Sequence, residues 1–304
     1  MSWLWIGVAL AIVAGLLLGF WMIAIEPQRF RVWRVHCPCV VEPSSGEIAV
    51  SAGRVPPLTV LHVTDTHFSG RDDKKLDFLR RVASEHYDFA FLTGDILERP
   101  GGLSSCFILA EMLRPQIGSF AVLGAHDHFY CPEFLGKYTS LHRISLGENK
   151  RRKDNPVEEL RAGLAARSVE VLVNENRIVR LPSGDRIGIV GLRDSFAFEI
   201  DWDGAWEDLG KDIPTLVLAH CPNALPEIAD RKAEMAFFGH THGGQVCFPL
   251  MGAIFTRSNI PRYQARGIFR EDETVFTVNN GVGTGIGTSF RLLCPPEVTI
   301  LQID

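Results

Sequence analysis

Apolar positions along the chain form runs of two kinds. Residues 3–25 are apolar without a break or a charge. Five short, extended-looking runs follow at 58–63, 88–92, 119–123, 215–218 and 234–238. Between the first of these, residues 72–86 carry Leu76, Leu79, Val82 and Ala83 at helical spacing, and a second helix is expected near 103–113. This strand–helix alternation predicts an α/β fold with sheets covered by helices. After Asp127 the pattern breaks. Residues 129–155 mix aromatic and aliphatic side chains with a basic run at 150–153, and a connection that long is usually functional or disordered. Pro156 then opens a helix. Residues 182–185 form a hairpin turn, and further strands are expected at 187–191, 275–278 and 298–302. No internal repeat is present.

The apolar run changes the picture of where the protein sits. At ~1.5 Å per residue it is long enough to cross a bilayer core of roughly 30 Å. It lacks the basic start and the small-residue cleavage site of a secretory signal. Trp3, Trp5, Trp21 and Trp33 stand near its ends, as interfacial aromatics do, and Arg29, Arg31 and Arg34 follow it. The positive-inside bias therefore places the remainder in the cytoplasm. The expected organisation is an anchor at 1–28, a juxtamembrane linker at 29–57 rich in Pro, Ser and Gly, and a domain at 58–304 with an insert at 129–155. The expected location is the cell inner membrane, crossed once, with the domain cytoplasmic. A net charge of −5 argues against nucleic acid as a partner. Seven cysteines, an odd number without scaffold spacing, suit a reducing compartment.

Chemistry concentrates at the ends of the short runs. Asp65-Thr66-His67, Gly94-Asp95, Gly124-Ala125-His126-Asp127, His220 and Gly239-His240-Thr241-His242 each follow one of them. In open α/β sheets the ligand crevice lies beyond the carboxyl ends of the strands, so these side chains would meet at one edge. A lone Asp-x-His or a single buried histidine is more often hydrogen-bonded core than ligand. His240 and His242 carry more weight, because alternate residues of an extended segment point the same way. Imidazoles and carboxylates gathered together are a divalent metal's ligand set, and the pattern reads as a metal-dependent hydrolase.

In this order the motifs resemble the calcineurin-like metallophosphoesterases, from about Thr59 to the end of the chain. The tail 239–245, Gly281-Val282-Gly283-Thr284 and Cys294-Pro295-Pro296-Glu297 are similar to a membrane-associated phosphodiesterase branch. One set within that wider relationship cleaves UDP-2,3-diacylglucosamine in lipid A synthesis. The resemblance implies a four-layer α/β/β/α sandwich preceded by one transmembrane helix. It also implies two divalent cations, held by Asp65, His67 and His242 at one position and by His220 and His240 at the other, with Asp95 bridging. His126 would lie beside the attacked phosphorus, and Asp127 would orient its imidazole. Mixed nitrogen and oxygen donors fit Mn, Fe or Zn better than Mg or Ca. Two cations roughly 3.5–4 Å apart would activate water against a phosphodiester or pyrophosphate, and the bilayer would favour a lipid-linked substrate.

One position departs from that family pattern. The residue before His126 is normally asparagine, and here Ala125 presents a methyl group, which would weaken the second cation position. Asn280 is a candidate substitute if the fold brings it near. Two other readings therefore stand beside an active enzyme: a metal-binding pseudoenzyme that recognises a phosphorylated ligand or protein, and a tethered scaffold without metal. The insert at 129–155 is expected either to cap the substrate or to be a solvated loop.

Overall fold

The short apolar runs become strands of two six-stranded sheets in the computed structural model, which describes residues 2–37, 39–41, 48–50, 53–130, 153–285 and 289–304. The first sheet contains β1 (Arg31–Cys37), β2 (Leu58–Val63), β3 (Phe89–Thr93), β4 (Gly118–Val122), β5 (Val169–Val171) and β12 (Glu297–Ile303), in the order β1-β12-β2-β3-β4-β5. The second contains β6 (Glu175–Arg180), β7 (Arg186–Gly191), β8 (Thr215–Leu218), β9 (Met235–Phe238), β10 (Gly267–Glu271) and β11 (Thr274–Val278), in the order β6-β7-β8-β9-β11-β10. The central strands β2 to β5 run parallel, as do β7, β8, β9 and β11. Parallel sheets are stable when covered on both faces, and the side-chain alternation shows that coverage directly.

Phe89 and Phe91 point into a core shared with Ile189, Leu218 and Phe237 of the other sheet. Ala90 and Leu92, the alternate residues, pack instead under the helices α2 (Asp73–Ala83) and α3 (Leu103–Met112), with Leu79, Val82 and Leu109. In the second sheet Val217, Ala236 and Phe238 face a third core containing Leu225 and Ile228 of the helix Leu225–Asp230. Three cores separate four layers, helix–sheet–sheet–helix, as expected. The period of two along each strand is what divides one apolar run between two cores. Helix α2 begins where Asp72 accepts a hydrogen bond from the Lys75 amide at 3.1 Å, a side-chain cap of the first turn.

The segment expected to be a linker contains a strand. Residues 31–37 form β1, paired in parallel with β12 from Arg31↔Glu297 to Cys37↔Ile303. Val35 and Cys37 are buried in the core between the sheets. From Trp33 onward, Trp-Arg-Val-His-Cys alternates apolar and polar residues as a half-exposed strand does. Its partner lies some 260 positions away in sequence, so the basic residues read as a membrane flank.

This strand couples the apolar helix to the body of the protein. That helix, Ser2–Phe20, continues through short turns to Gln28 and is exposed along its length. It is long and apolar enough to cross a membrane. At its end Glu26 is buried and accepts from Trp21 Nε1 at 3.0 Å and Arg29 Nη1 at 2.9 Å. The Arg291 amide donates to Met22 O at 2.9 Å, joining the helix to the carboxyl-terminal segment. Phe129–Tyr130 pairs with Lys153–Asp154 at the base of the insert. The rest of the insert, and with it the expected cap, lies outside the described residues.

Candidate metal centre at the strand ends

All five motif loops lie at carboxyl ends of adjacent parallel strands: β2, β3 and β4 of the first sheet and β8 and β9 of the second. Asp65, His67, Asp95, His240 and His242 take left-handed backbone conformations, with φ between 45° and 67°. Such a conformation costs a non-glycine residue on the order of 1–3 kcal/mol, and clusters of it mark functional sites. The surrounding backbone holds it in place: the Asp65 amide donates to Gly94 O at 3.0 Å and the His67 amide to Asp95 O at 2.9 Å. Two glycines permit the close approach. A Cβ at Gly124 would lie 2.2 Å from Asp95 Oδ1, and one at Gly239 would lie 2.0 Å from Thr64 Oγ1.

The ligand atoms converge at one point. Asp65 Oδ2 accepts from Thr64 Oγ1 at 2.8 Å and from the His240 amide at 3.0 Å. Its Oδ1 is buried without a hydrogen bond, 3.3 Å from His242 Nε2 and 3.7 Å from His67 Nε2. His67 Nε2 lies 3.1 Å from His242 Nε2 and 3.7 Å from Asp95 Oδ2. Ligands tetrahedrally arranged around an ion at bonds of 2.0–2.2 Å would be about 3.3–3.6 Å apart. On the other side of Asp95, the same Oδ2 lies 3.2 Å from His220 Nε2, while Oδ1 accepts from the His126 amide at 2.9 Å. One Asp95 oxygen therefore faces both Asp65-His67-His242 and His220.

Second contacts assign the ring nitrogens. His220 Nδ1 donates to Thr93 O at 2.7 Å, and His240 Nε2 donates to Arg257 O at 3.0 Å. His67 Nδ1 meets Glu98 Oε2 at 2.7 Å. In the neutral form of each ring the opposite nitrogen carries the lone pair that a metal ligand requires. The residues thus fit a divalent cation: a buried carboxylate oxygen and a buried imidazole nitrogen, Asp65 Oδ1 and His220 Nε2, have no hydrogen-bond partner, and the donors are mixed nitrogen and oxygen. His240 packs its ring against His220 at 5.2 Å between centroids but belongs to none of the tight ligand clusters found among the described residues.

Burial works against charge on every group here, and the neighbours decide the outcome. It pulls His67 down, yet Asp65 and Glu98 outweigh it and raise the imidazole to about 9. His220 is likewise raised, against burial, chiefly by Asp95. Burial opposes the Asp65 and Asp95 charges, but the histidines hold both carboxyls below their usual range. Burial lowers His242 and His240. The site is a preformed negative pocket that binds protons when no cation is present, so cation binding must release them.

One expectation about this site changes. Asp127 does not orient His126: its Oδ1 accepts from the Leu97 amide at 2.7 Å and its Oδ2 from the Gly124 amide at 2.8 Å. Both its oxygens are spent on fixing the turn that carries His126. The residue beside the imidazole is Glu98, whose Oε2 lies 2.9 Å from His126 Nδ1. Sequence reading passed over Glu98, although an acid in the apolar surroundings of Ile96 and Leu97, three residues after Asp95, was a usable signal. Asn280, the candidate substitute for Ala125, turns its Nδ2 to Pro295 O at 3.3 Å and Glu297 Oε2 at 3.5 Å, and its Oδ1 is buried without a hydrogen-bond partner. Arg291, also unforeseen, is fully buried and donates to Asn280 O at 2.8 Å, Gly283 O at 2.7 Å and His242 O at 3.4 Å, tying the loop after β11 to His242.

A cavity of about 550 Å³ opens against His242, lined among others by Gln245, Phe255, Arg257 and Arg262. Beside it a hairpin, Cys247–Phe248 with Gly252–Ala253, carries Leu250 and Met251 at its tip. Phe248, Leu250, Met251 and Phe255 are all exposed.

The sequence is similar to those of several known proteins. UDP-2,3-diacylglucosamine pyrophosphatase LpxG of Chlamydia trachomatis is 25% identical over 325 residues, covering 96% of this chain and 94% of that protein. The uncharacterized metallophosphoesterase YkoQ of Bacillus subtilis is 24% identical over 250 residues, covering 81% and 83%. Phosphodiesterase YaeI of Escherichia coli is 34% identical over 140 residues, covering 46% and 49%. The profile of the calcineurin-like phosphoesterases matches residues 58–244, a span that holds every strand-end histidine and aspartate described above. The chain belongs to the calcineurin-like phosphoesterases and is a metal-dependent hydrolase of phosphoric esters.

Proposed function

We propose that this hydrolase is held at a membrane by its first helix and cleaves a lipid-linked phosphodiester or pyrophosphate, of the class to which UDP-2,3-diacylglucosamine belongs. The observation that carries the hydrolytic part is the convergence of Asp65 Oδ1, His67 Nε2, His242 Nε2 and Asp95 Oδ2, at separations of 3.1 to 3.7 Å. Asp65, His67, His242 and Asp95 would hold one divalent cation, and Asp95, His220 and His240 a second, with Mn, Fe or Zn suited to the donors. Bound there, the pair of ions would polarise the phosphoryl group and lower the pKa of a water.

The chain's own residues supply the rest. His126 is partly open, its side chain 19% exposed, and Glu98 secures it by Nδ1. Burial pulls its imidazole down, but Glu98 and Asp95 outweigh it and raise it, which favours a protonated ring. That proton suits the departing oxygen of a phosphoester. Arg257 and Arg262, in the cavity beside His242, offer guanidinium groups to a second phosphate.

The lipid part rests on three features on one side of the molecule. Met22, in the turn that continues the apolar helix, accepts at its carbonyl from the Arg291 amide, and the neighbouring Leu292 O accepts from the Cys247 amide at the root of the exposed hairpin. Helix, hairpin and cavity are thus adjacent through three consecutive connections. The membrane would be the bacterial inner membrane with the domain in the cytoplasm, as the arginines after the helix argue.

Full-length protein in nanodiscs, supplied with Mn²⁺, tests the reading against bis(4-nitrophenyl) phosphate and a UDP-linked diacyl sugar, alongside Asp95→Ala. The proposal expects cleavage of both, abolished in Asp95→Ala. Cleavage of the soluble diester alone would remove the lipid-linked assignment, and turnover that persists in Asp95→Ala would remove the site.

A further inference from the structure

The two cation positions are unequally provided for. Four ligand atoms from Asp65, His67, Asp95 and His242 serve the first. The second has Asp95, His220 and His240, while the nearby Ala125 offers only a methyl group. A divalent ion with a single shared carboxylate and two neutral imidazoles would be short of both ligands and negative charge.

Asp194 lies on this side of the centre. It follows β7, the strand next to β8, and β8 and β9 end at His220 and His240. Its neighbours touch the loops of both histidines. Ser195 Oγ donates to Cys221 O at 3.4 Å, and the Phe196 ring packs on the His240 ring at 4.8 Å between centroids. The Asp194 side chain is fully buried. Oδ1 accepts from the Phe196 amide at 3.0 Å, as an Asx turn requires. Oδ2 is buried and has no hydrogen-bond partner, and no ion pair reaches Asp194 among the described residues. Apart from the burial itself, the strongest influences on its carboxyl are the charges of His220 and then His240.

A turn-forming role accounts for Oδ1 and leaves Oδ2 unexplained. A buried carboxylate oxygen without a partner is unfavourable unless a cation meets it. We propose that Asp194 Oδ2 is a ligand of the second divalent cation, joining Asp95, His220 and His240. A carboxylate here makes up for the oxygen that Ala125 lacks and adds a negative charge. The inference rests on the two-cation reading above.

The test is the metal content of full-length protein in detergent, equilibrated with Mn²⁺ and freed of excess, for the natural sequence, Asp194→Asn and Asp194→Ala. Asp194→Asn keeps the Oδ1 acceptor and hence the turn. The electron paramagnetic resonance spectrum of each sample reports whether the ions are coupled. The proposal expects the natural sequence to hold about two Mn²⁺ per chain with a coupled spectrum. Both variants should hold about one, with an isolated-ion spectrum and unchanged circular dichroism. Two coupled ions in Asp194→Asn and Asp194→Ala would overturn the assignment and leave the two-cation reading intact. A natural sequence that binds only one ion would overturn both.

Discussion

Glu98 Oε2 lies 2.7 Å from His67 Nδ1, and the same oxygen lies 2.9 Å from the Nδ1 of His126. A single buried carboxylate therefore orients a proposed metal ligand and the proposed proton donor. Glu98→Gln keeps the shape but presents an amide that matches only one of the two rings. Loss of such an outer contact typically weakens metal affinity or activity by about 10–100-fold. The expected result is Mn²⁺ affinity and kcat both reduced within that range, with the alkaline-side inflection of the kcat profile, where protonated His126 is lost, moved to lower pH. An unchanged profile would detach Glu98 from His126.

Gly124 is a sharper case, because the obstacle is geometric. A methyl group there would lie 2.2 Å from Asp95 Oδ1 and 2.7 Å from His220 Cδ2. Gly124→Ala should displace Asp95 and abolish Mn²⁺-dependent diester hydrolysis by at least about 100-fold, since misplacement of about 1 Å costs that much. Stability should fall by only about 1–3 kcal/mol, so urea unfolding separates loss of the site from loss of the fold.

The hairpin predicts a difference between substrates. Leu250→Asp with Met251→Asp places two charges at a tip whose side chains are exposed and make no core contact. If that tip meets the bilayer, cleavage of a membrane-borne substrate should drop by roughly tenfold or more, because removing apolar area weakens interfacial binding. Hydrolysis of a soluble diester should stay unchanged. Equal effects on both substrates would exclude a membrane role for the hairpin.

Glu297 gives a pH signature of stability away from the strand-end loops. Burial raises its carboxyl to about 7, with Cys294 adding to the effect against Arg266 and Arg291. Its folded value lies above its ordinary one, so its contribution is complete below about pH 4.5 and is lost as pH rises to about 7. The full shift would correspond to about 3 kcal/mol, and partial exposure reduces that to about 2 kcal/mol. Urea titrations should show wild-type stability falling across that window relative to Glu297→Gln. Parallel curves for the two proteins would refute it.

Much of this architecture was legible in the sequence because it depends on short-range rules. An unbroken apolar run at residues 89–92 marks a strand buried on both faces, and an Asp at 72 followed by Leu76, Leu79 and Val82 marks a capped helix. Strand ends carrying Asp65, Asp95, His220 and His242 announced a metal centre, because parallel strands bring their carboxyl ends to one edge of a sheet; that the edges of two sheets meet there was not legible. The metal-centre geometry could be anticipated to that extent and no further.

What the tertiary structure decided were the pairings between segments distant in sequence. Residues 31–37 look like a basic flank until β12, from the other end of the chain, supplies hydrogen bonds along their edge. Asp127 and Glu98 are both acids close to His126 in sequence or space, and only backbone direction separates them. The Leu97 and Gly124 amides capture Asp127, while the parallel crossing of the loops after β2 and β3 puts Glu98 between two imidazoles. Asn280 and Asp194 are placed in the same way: the Arg291 network fixes the loop of the first, and the pairing of β7 with β8 carries the second to the end of the strand next to that of His220. Residue types limit which groups can act as ligands; the packing of one loop on another determines which of them meet.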